Sequence, residues 1–201
     1  MATTTIPVTG DPDADELLVE DPLALLIGML LDQQVPMEWA FKGPHTLKER
    51  LGDLDCAAIA AMPEDDVRAV FSAKPALHRF PGSMGARTHA LCQAIVDGYG
   101  GDAATIWTTA KTGDELLARL KALPGFGDAK AKIFLALLGK RLGVAPPGWE
   151  EASTPYSDAT KRSVADIDSP EALAEVRRWK QAEKAKAKKQ AEKAEQAGSN
   201  G

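Results

Sequence analysis

The sequence predicts an all-α protein, and three observations carry that prediction. Alanine, leucine, lysine and glutamate dominate, aromatic residues make up 5% of the chain, and runs of alternating β-branched residues are nearly absent, so intrinsic preference favours helix throughout. Apolar residues recur on stripes of helical spacing. Prolines, acids and glycines stand where helix ends need them. At 201 residues, 44% hydrophobic and 26% charged, the chain can bury a real core but is short for two independent domains. One compact unit with appendages is expected.

Residues 1–20 read as an acidic, polar N-terminal arm that becomes helical near Glu16. Pro22 then suits the first position of a helix through LALLIGMLLDQQ, apolar on most faces and therefore central. MEWAFKGPHTLKERLG reads as a helix broken near Gly43-Pro44, and DCAAIAAM as a short helix capped by Asp55. PEDDVRAVFSA opens with proline and acids, which suit a helix start, and KPALHRFPGSMG reads as a loop. GARTHALCQAIVDGYGG puts Ala90, Leu91, Ala94, Ile95 and Tyr99 on one stripe and stops at glycines. A short helix through Ile106 and Trp107 follows, then TGDELLARLKAL, capped by Thr112 with Leu116, Leu117 and Leu120 inward. LPGFG interrupts, and DAKAKIFLALLGKRLG resumes with Ile133, Phe134, Leu137 and Leu138 apolar. The core is thus expected over 21–143, with helix, tight glycine turn and helix over 112–142.

Prolines keep VAPPGWEEASTPYSDATKRS irregular, and Ser169-Pro170 opens a last helix. Residues 144–179 are expected to complete a second lobe, and 180–201 to form a basic, solvated or disordered tail.

The N-terminus lacks a basic start followed by an apolar run, and PLALLIGMLL is too short to cross a bilayer, so a cytoplasmic protein with no membrane partner is expected. Cys56 and Cys92 lie far apart without metal-ligand spacing, so this chain offers neither a zinc site nor a four-cysteine iron-sulfur cluster. Both read as buried thiols. The formal net charge of -5 argues mildly against a polyanion partner, but acids gather in DPDADELLVED while RRWKQAEKAKAKKQAEKAEQ is basic. No phosphate-binding glycine loop or serine triad signature is present, and His45, His78 and His89 are scattered.

The stretch from Leu123 to Arg141 is the most informative. Gly125 and Gly127 flank one apolar residue, which lets the backbone turn tightly and approach another surface. The N–H groups of the following helix point out at the same place and suit a phosphate, with Lys130 and Lys132 adding charge and Asp128 of the wrong sign. LxxLPGFGxxxA resembles the helix-hairpin-helix motif, in which Leu120, Leu123, Phe126 and Ala131 pack the two helices together. LLIGMLLDQQVPMEWAF resembles the early helix of the endonuclease III and adenine glycosylase branch of the helix-hairpin-helix-GPD DNA glycosylases. Helices like those at 64–73 and 85–99 precede the hairpin there at similar distances, so the resemblance spans about Leu23 to Gly143.

That resemblance implies a two-lobed helical fold, with the chain's two ends building the second lobe and DNA bent across the cleft. The partner is double-stranded DNA carrying a damaged base or an abasic site, and the damaged nucleotide flips into the cleft. Gln34 matches the family's wedging glutamine, with Gln33 beside it. A monovalent cation, K+ or Na+, is implied at the backbone carbonyls of Lys121, Leu123 and Phe126. Trp39 and Phe41 are candidates to stack on a flipped base.

Two departures bear on chemistry. The lysine that attacks the sugar in bifunctional members stands two residues after the second glycine, where this chain has Ala129. Lys130 is one step along, about a hundred degrees around the helix, and is expected to point elsewhere. The family's aspartate follows the second glycine by about twenty residues, where this chain reads VAPPGWEE. Glu150, Glu151 and, from the other side of the cleft, Asp32 are the candidate acids, with Asp158 reached only if its loop folds back. Such an acid would stabilise the oxocarbenium-like sugar left by the departing base. The expectation is a monomeric, monofunctional DNA N-glycosylase of base excision repair. A noncatalytic damage sensor and a helical protein-interaction module remain the alternatives.

Overall fold

The computed structural model describes residues 5–198. The first four residues of the expected arm and the last three of the expected tail lie outside that range. Among the described residues there are eleven α-helices, one 3-10 turn and no strand, and no helix is long and apolar enough to cross a membrane.

The N-terminal arm is tied down. Asp15 accepts hydrogen bonds from the Val8 and Thr9 N–H groups and the Thr9 hydroxyl (2.8–3.1 Å), and Ile6 and Val8 are fully buried. Helix α1 (Pro12–Glu20) therefore starts earlier than the sequence suggests, with Asp11 capping the Asp13 and Ala14 N–H groups. Helix α2 (Pro22–Leu31) has Pro22 at its first position, Asp21 as its cap and every residue from Leu23 to Leu31 buried. A helix apolar all round has to be surrounded, and α2 is the axle of the molecule.

Helix α3 (Met37–Leu51) runs unbroken through Pro44, contrary to the expected break. Pro44 forgoes one intrahelical bond, but Ala40, Phe41, Gly43 and Leu47 are buried along α2. A Cβ on Gly43 would come within 2.5 Å of Leu31 Cδ1. Close packing holds the helix where propensity alone would end it. Helix α4 (Cys56–Ala61) is capped by Asp55, and α5 (Glu64–Ser72) follows Pro63. Helix α6 (Pro81–Tyr99) begins at Pro81, taking in part of the expected loop. Cys56 and Cys92 are free, buried thiols. Of the stripe expected on α6, Leu91 and Ile95 are buried whereas Ala90 is exposed.

Helix α7 (Thr105–Thr108) leads into the hairpin of α8 (Gly113–Lys121) and α9 (Asp128–Leu142). Phe126, Phe134 and Trp107 seat it on the core, the two phenyl rings edge-on with centroids 5.8 Å apart. Helix α10 (Trp149–Ala152) covers the far end of that hairpin: its Trp149 ring packs on Gly139, where a Cβ would stand 2.5 Å away. The 3-10 turn Val164–Asp166 packs on α9, with Asp166 paired to Lys140 (2.6 Å). Helix α11 (Pro170–Gly198) buries Ala172 and Val176 and then runs outward, so the expected tail is helical and solvated up to the end of the described side chains.

Candidate nucleic-acid interface

The site is built around the C-terminus of α2. That helix stops at Asp32, and Gln33 and Gln34 make the turn into α3. Gln34 has φ 57, a left-handed backbone that a side chain other than glycine adopts at a cost of about 1 kcal/mol. The turn is held by a residue the sequence left unassigned. His78 is buried, its Nε2–H donates to the Gln33 carbonyl (2.9 Å) and its Nδ1 accepts the Phe80 N–H (3.0 Å). Burial holds its pKa below the usual imidazole value, which keeps the ring neutral for that paired role. Phe80 and Trp39 flank it at ring distances of 6.1 and 6.3 Å, and they are 43% and 42% exposed. Two large apolar rings thus stand open beside the glutamine turn. A strained, exposed Gln34 on a pinned turn is suited to insertion. Gln34→Gly is expected to raise stability by about 1 kcal/mol and to weaken binding to an abasic duplex about tenfold, read by melting temperature and by titration.

The hairpin closes against this turn. Gly125 has φ 83, and a Cβ there would lie 2.3 Å from Leu30 Cδ1, so its bare backbone is what lets the hairpin rest on α2. Gly127 differs: its φ of -77 suits any residue, and a Cβ there would meet nothing within 4 Å. It caps α9 without a side-chain acceptor, leaving the first N–H groups of α9 without a side-chain partner. Asp128 is shared by Lys121 (2.9 Å) and Lys132 (3.1 Å), which hold its carboxyl below the usual range. Two lysines on one acid leave one positive charge in excess at the helix start.

Lys130 does not point away from the glutamine turn and the end of α2, as its position on the helical wheel suggests. Its Nζ donates to the Leu30 carbonyl at 2.8 Å and sits 6.0 Å from the Phe126 ring centroid. The first turn of α9 lies over the end of α2, and a long side chain leaving it reaches inward. Burial lowers its pKa to about 8, with Arg87 adding to the effect and Asp32 opposing it. Asp32 lies on the same spot: its side chain is 14% exposed and 3.8 Å from Lys180 of α11. Burial pushes its pKa up, against the pull of Lys180 and then Lys130. Beside them Arg177 of α11 pairs with Glu38 at the start of α3. Residues distant in sequence (32, 38, 130, 177 and 180) thus form one charged cluster between the glutamine turn and the hairpin.

The other sequence candidates are placed elsewhere. Phe41 is fully buried, with its ring against Gly28; it lies two residues from Trp39, and residues so spaced on a helix face opposite sides, so it offers no surface to a base. Glu150 and Glu151 are exposed on α10, which packs by Gly139, nine residues and about 13 Å along α9 from Lys130. The structure does not bring them to Asp32. Asp158 is exposed and paired with Arg162. A concavity of about 500 Å³ is at that end of α9 too, lined by Lys140, Lys161, Asp158, Asp166 and Asp168, whose charges largely pair with one another. Among the described residues no group of three or more His, Cys, Asp or Glu side chains is arranged to hold a metal ion.

The contribution of α11 is what sequence reasoning missed. The one signal for it is the i, i+3 spacing of Arg177 and Lys180, which puts two cations on one helical face.

Comparison with known families gives one match. The family described as HhH-GPD superfamily base excision DNA repair protein covers residues 27–197. No curated protein and no solved structure shows a significant match to the chain.

Proposed function

This chain belongs to the HhH-GPD superfamily of base excision DNA repair proteins, and from that premise we propose that it is a monofunctional DNA N-glycosylase. It takes duplex DNA carrying a damaged base, flips the damaged nucleotide out of the stack beside the Gln33–Gln34 turn, and hydrolyses the glycosidic bond with water. Its other expected partner is the abasic duplex it produces, and it acts as a monomer in the cytoplasm.

The observation that carries this reading is Asp32, a nearly buried carboxyl between the glutamine turn and the hairpin. As the base leaves, positive charge develops on the sugar, and a carboxylate a few ångströms away stabilises that charge most where water is excluded. Lys180 and Lys130 favour the ionised form of Asp32 against its burial. Gln34 fills the gap in the duplex, Trp39 and Phe80 offer apolar faces to unstacked bases, and Gly127 with the start of α9 receives a phosphate. The carbonyls of Lys121, Leu123 and Phe126 are hard oxygen donors on the hairpin turn, and that of Leu123 already accepts the Phe126 N–H at 3.1 Å. They suit a bound K+ or Na+, which would supply further positive charge to the phosphate contact.

A second reading follows from one observation. Lys130, with a pKa of about 8, is partly a free amine near neutral pH and is itself in the cleft, so it has the character of a sugar-attacking nucleophile. The two readings separate on one substrate. The protein is incubated with damaged duplex, then with borohydride. Free base with an intact abasic strand and no adduct supports hydrolysis by water; a covalent adduct that rises with pH through about 8 and is lost in Lys130→Met makes Lys130 the nucleophile. No base release from any duplex of a broad lesion panel, and no adduct, sinks both and leaves a noncatalytic damage-binding protein. Glu150→Gln and Glu151→Gln are expected to leave base release unchanged within about twofold, because both acids are solvated about 13 Å along α9 from the cluster.

A further inference from the structure

Helix α11 is 29 residues long, about 43 Å, and Val176 is its last buried residue among those whose side chains are described. What the rest of the helix does is not explained by folding. Arg177 and Lys180 leave it toward Glu38 and Asp32 at the cleft. Continuing along the same face at helical spacing, positions 184 and 188 are both lysine. Arg177, Lys180, Lys184 and Lys188 fall within about 80° of one another on the helical wheel, with no acid on that strip between the first and the last. The acids of this stretch, Glu175 and Glu183, lie on other faces, and Glu183 pairs there with Lys186 (2.7 Å). Lys184 and Lys188 are exposed, and the contact of Lys188 with Glu192 is a loose 3.9 Å between solvated groups, worth little.

In a chain with net charge -5, four cations in a row that begin at the cleft and lead out of it are a local exception. We propose that this face of α11 is a second DNA-backbone contact, a rail along which phosphates flanking the lesion run outward from the cleft. From Arg177 to Lys188 it measures about 16 Å, the axial length of roughly five base pairs. Its inner cations are held by Glu38 and Asp32, and its outer ones are open to a polyanion. The inference rests on the reading that the cleft takes DNA.

The test measures binding of the full chain to a duplex with an uncleavable abasic-site analogue over a salt series. Two double variants are compared with the unaltered protein: Lys184→Ala with Lys188→Ala on the rail, and Lys186→Ala with Lys189→Ala on other faces. Both remove two charges and both place the strongest helix former in the helix, and circular dichroism checks that helix content is kept. Each phosphate contact contributes about 0.9 to the slope of log affinity against log salt. The rail variant is expected to flatten the slope by about 1.8 and to lower affinity at low salt about tenfold, with the other variant close to the unaltered protein. Equal losses in both variants mean diffuse attraction and overturn the rail. Unchanged slopes in both, with the unaltered protein still binding, overturn the rail while the cleft reading stands. No binding by the unaltered protein overturns the two together.

Discussion

Asp32→Asn is expected to lower base release by about three orders of magnitude and at the same time to raise the melting temperature. The loss follows from electrostatics: removing a charge or hydrogen-bonding group aimed at a developing charge in a dry site costs about 10²- to 10³-fold, and loss of an acid–base role reaches about 10⁴-fold. The gain follows from the same burial. The folded-state pKa of Asp32 is raised above 3.8, chiefly by desolvation. A raised carboxyl pKa means that the native state holds the proton more tightly than the unfolded chain. Its contribution to stability is therefore present below the unfolded value and lost as pH rises through the folded one. At neutral pH the ionised group is a burden on the fold, and asparagine removes it, for about 1 kcal/mol or roughly 2–4 °C in a chain of this size. The pH profile of the unaltered protein is expected to follow the same raised pKa: if the carboxylate does the work proposed for it, activity falls on acidification at a higher pH than an ordinary aspartate would give. Differential scanning calorimetry and single-turnover base release at several pH values check all three. A variant that is both active and no more stable removes Asp32 from the chemistry.

The two hairpin glycines respond in opposite ways. Gly125→Ala costs about 2–4 kcal/mol: the backbone at φ 83 penalises any Cβ, and that Cβ would stand 2.3 Å from a methyl of Leu30, which is fully buried and has little room to move. Gly127→Ala leaves stability unchanged or raises it by about 0.5 kcal/mol, because its backbone is ordinary and the space around it is open. Nothing inside the molecule requires a glycine there. A partner whose backbone comes close does, so DNA affinity is expected to fall about tenfold in Gly127→Ala and further in Gly127→Val, with melting temperatures preserved. Chemical denaturation and DNA titration of the three variants are sufficient. Full affinity in Gly127→Val would mean that the hairpin only packs, as in a protein-interaction module.

Much of the fold was legible because the signals are local. Pro22 starts α2, Thr112 caps α8 by accepting the Glu115 N–H, and Asp55 caps α4; each acts within three residues of itself. LPGFG marks the hairpin because a reversal of this kind needs a glycine at Gly125, wherever it occurs. The misreadings have a common cause. Pro44 is inside α3 because packing on α2 outweighs a lost hydrogen bond, and Phe41 is in the core because a helix has two sides. No spacing rule weighs the first; helical spacing does say that Trp39 and Phe41 cannot share one face, but not which of them is buried.

The site was half legible. Gln33, Gln34, Asp32 and the hairpin could be placed from the sequence because they sit at element ends whose positions it marks. His78, Lys180, Arg177 and Glu38 could not, since each joins the site through a residue more than 40 positions away. Lys130 was visible but misdirected: the helical wheel gives the angle at which a side chain leaves, not what lies over it. The sequence by itself determined where most of the helices lie, where the hairpin turns and that α2 must be surrounded, since these depend on propensity, capping and apolar periodicity. Only the tertiary structure decided that α11 brings two cations to the end of α2 and that Lys130 shares its ground with Asp32. Burial and the long-range meeting of charges set those pKa values, and neither exists until the helices have packed.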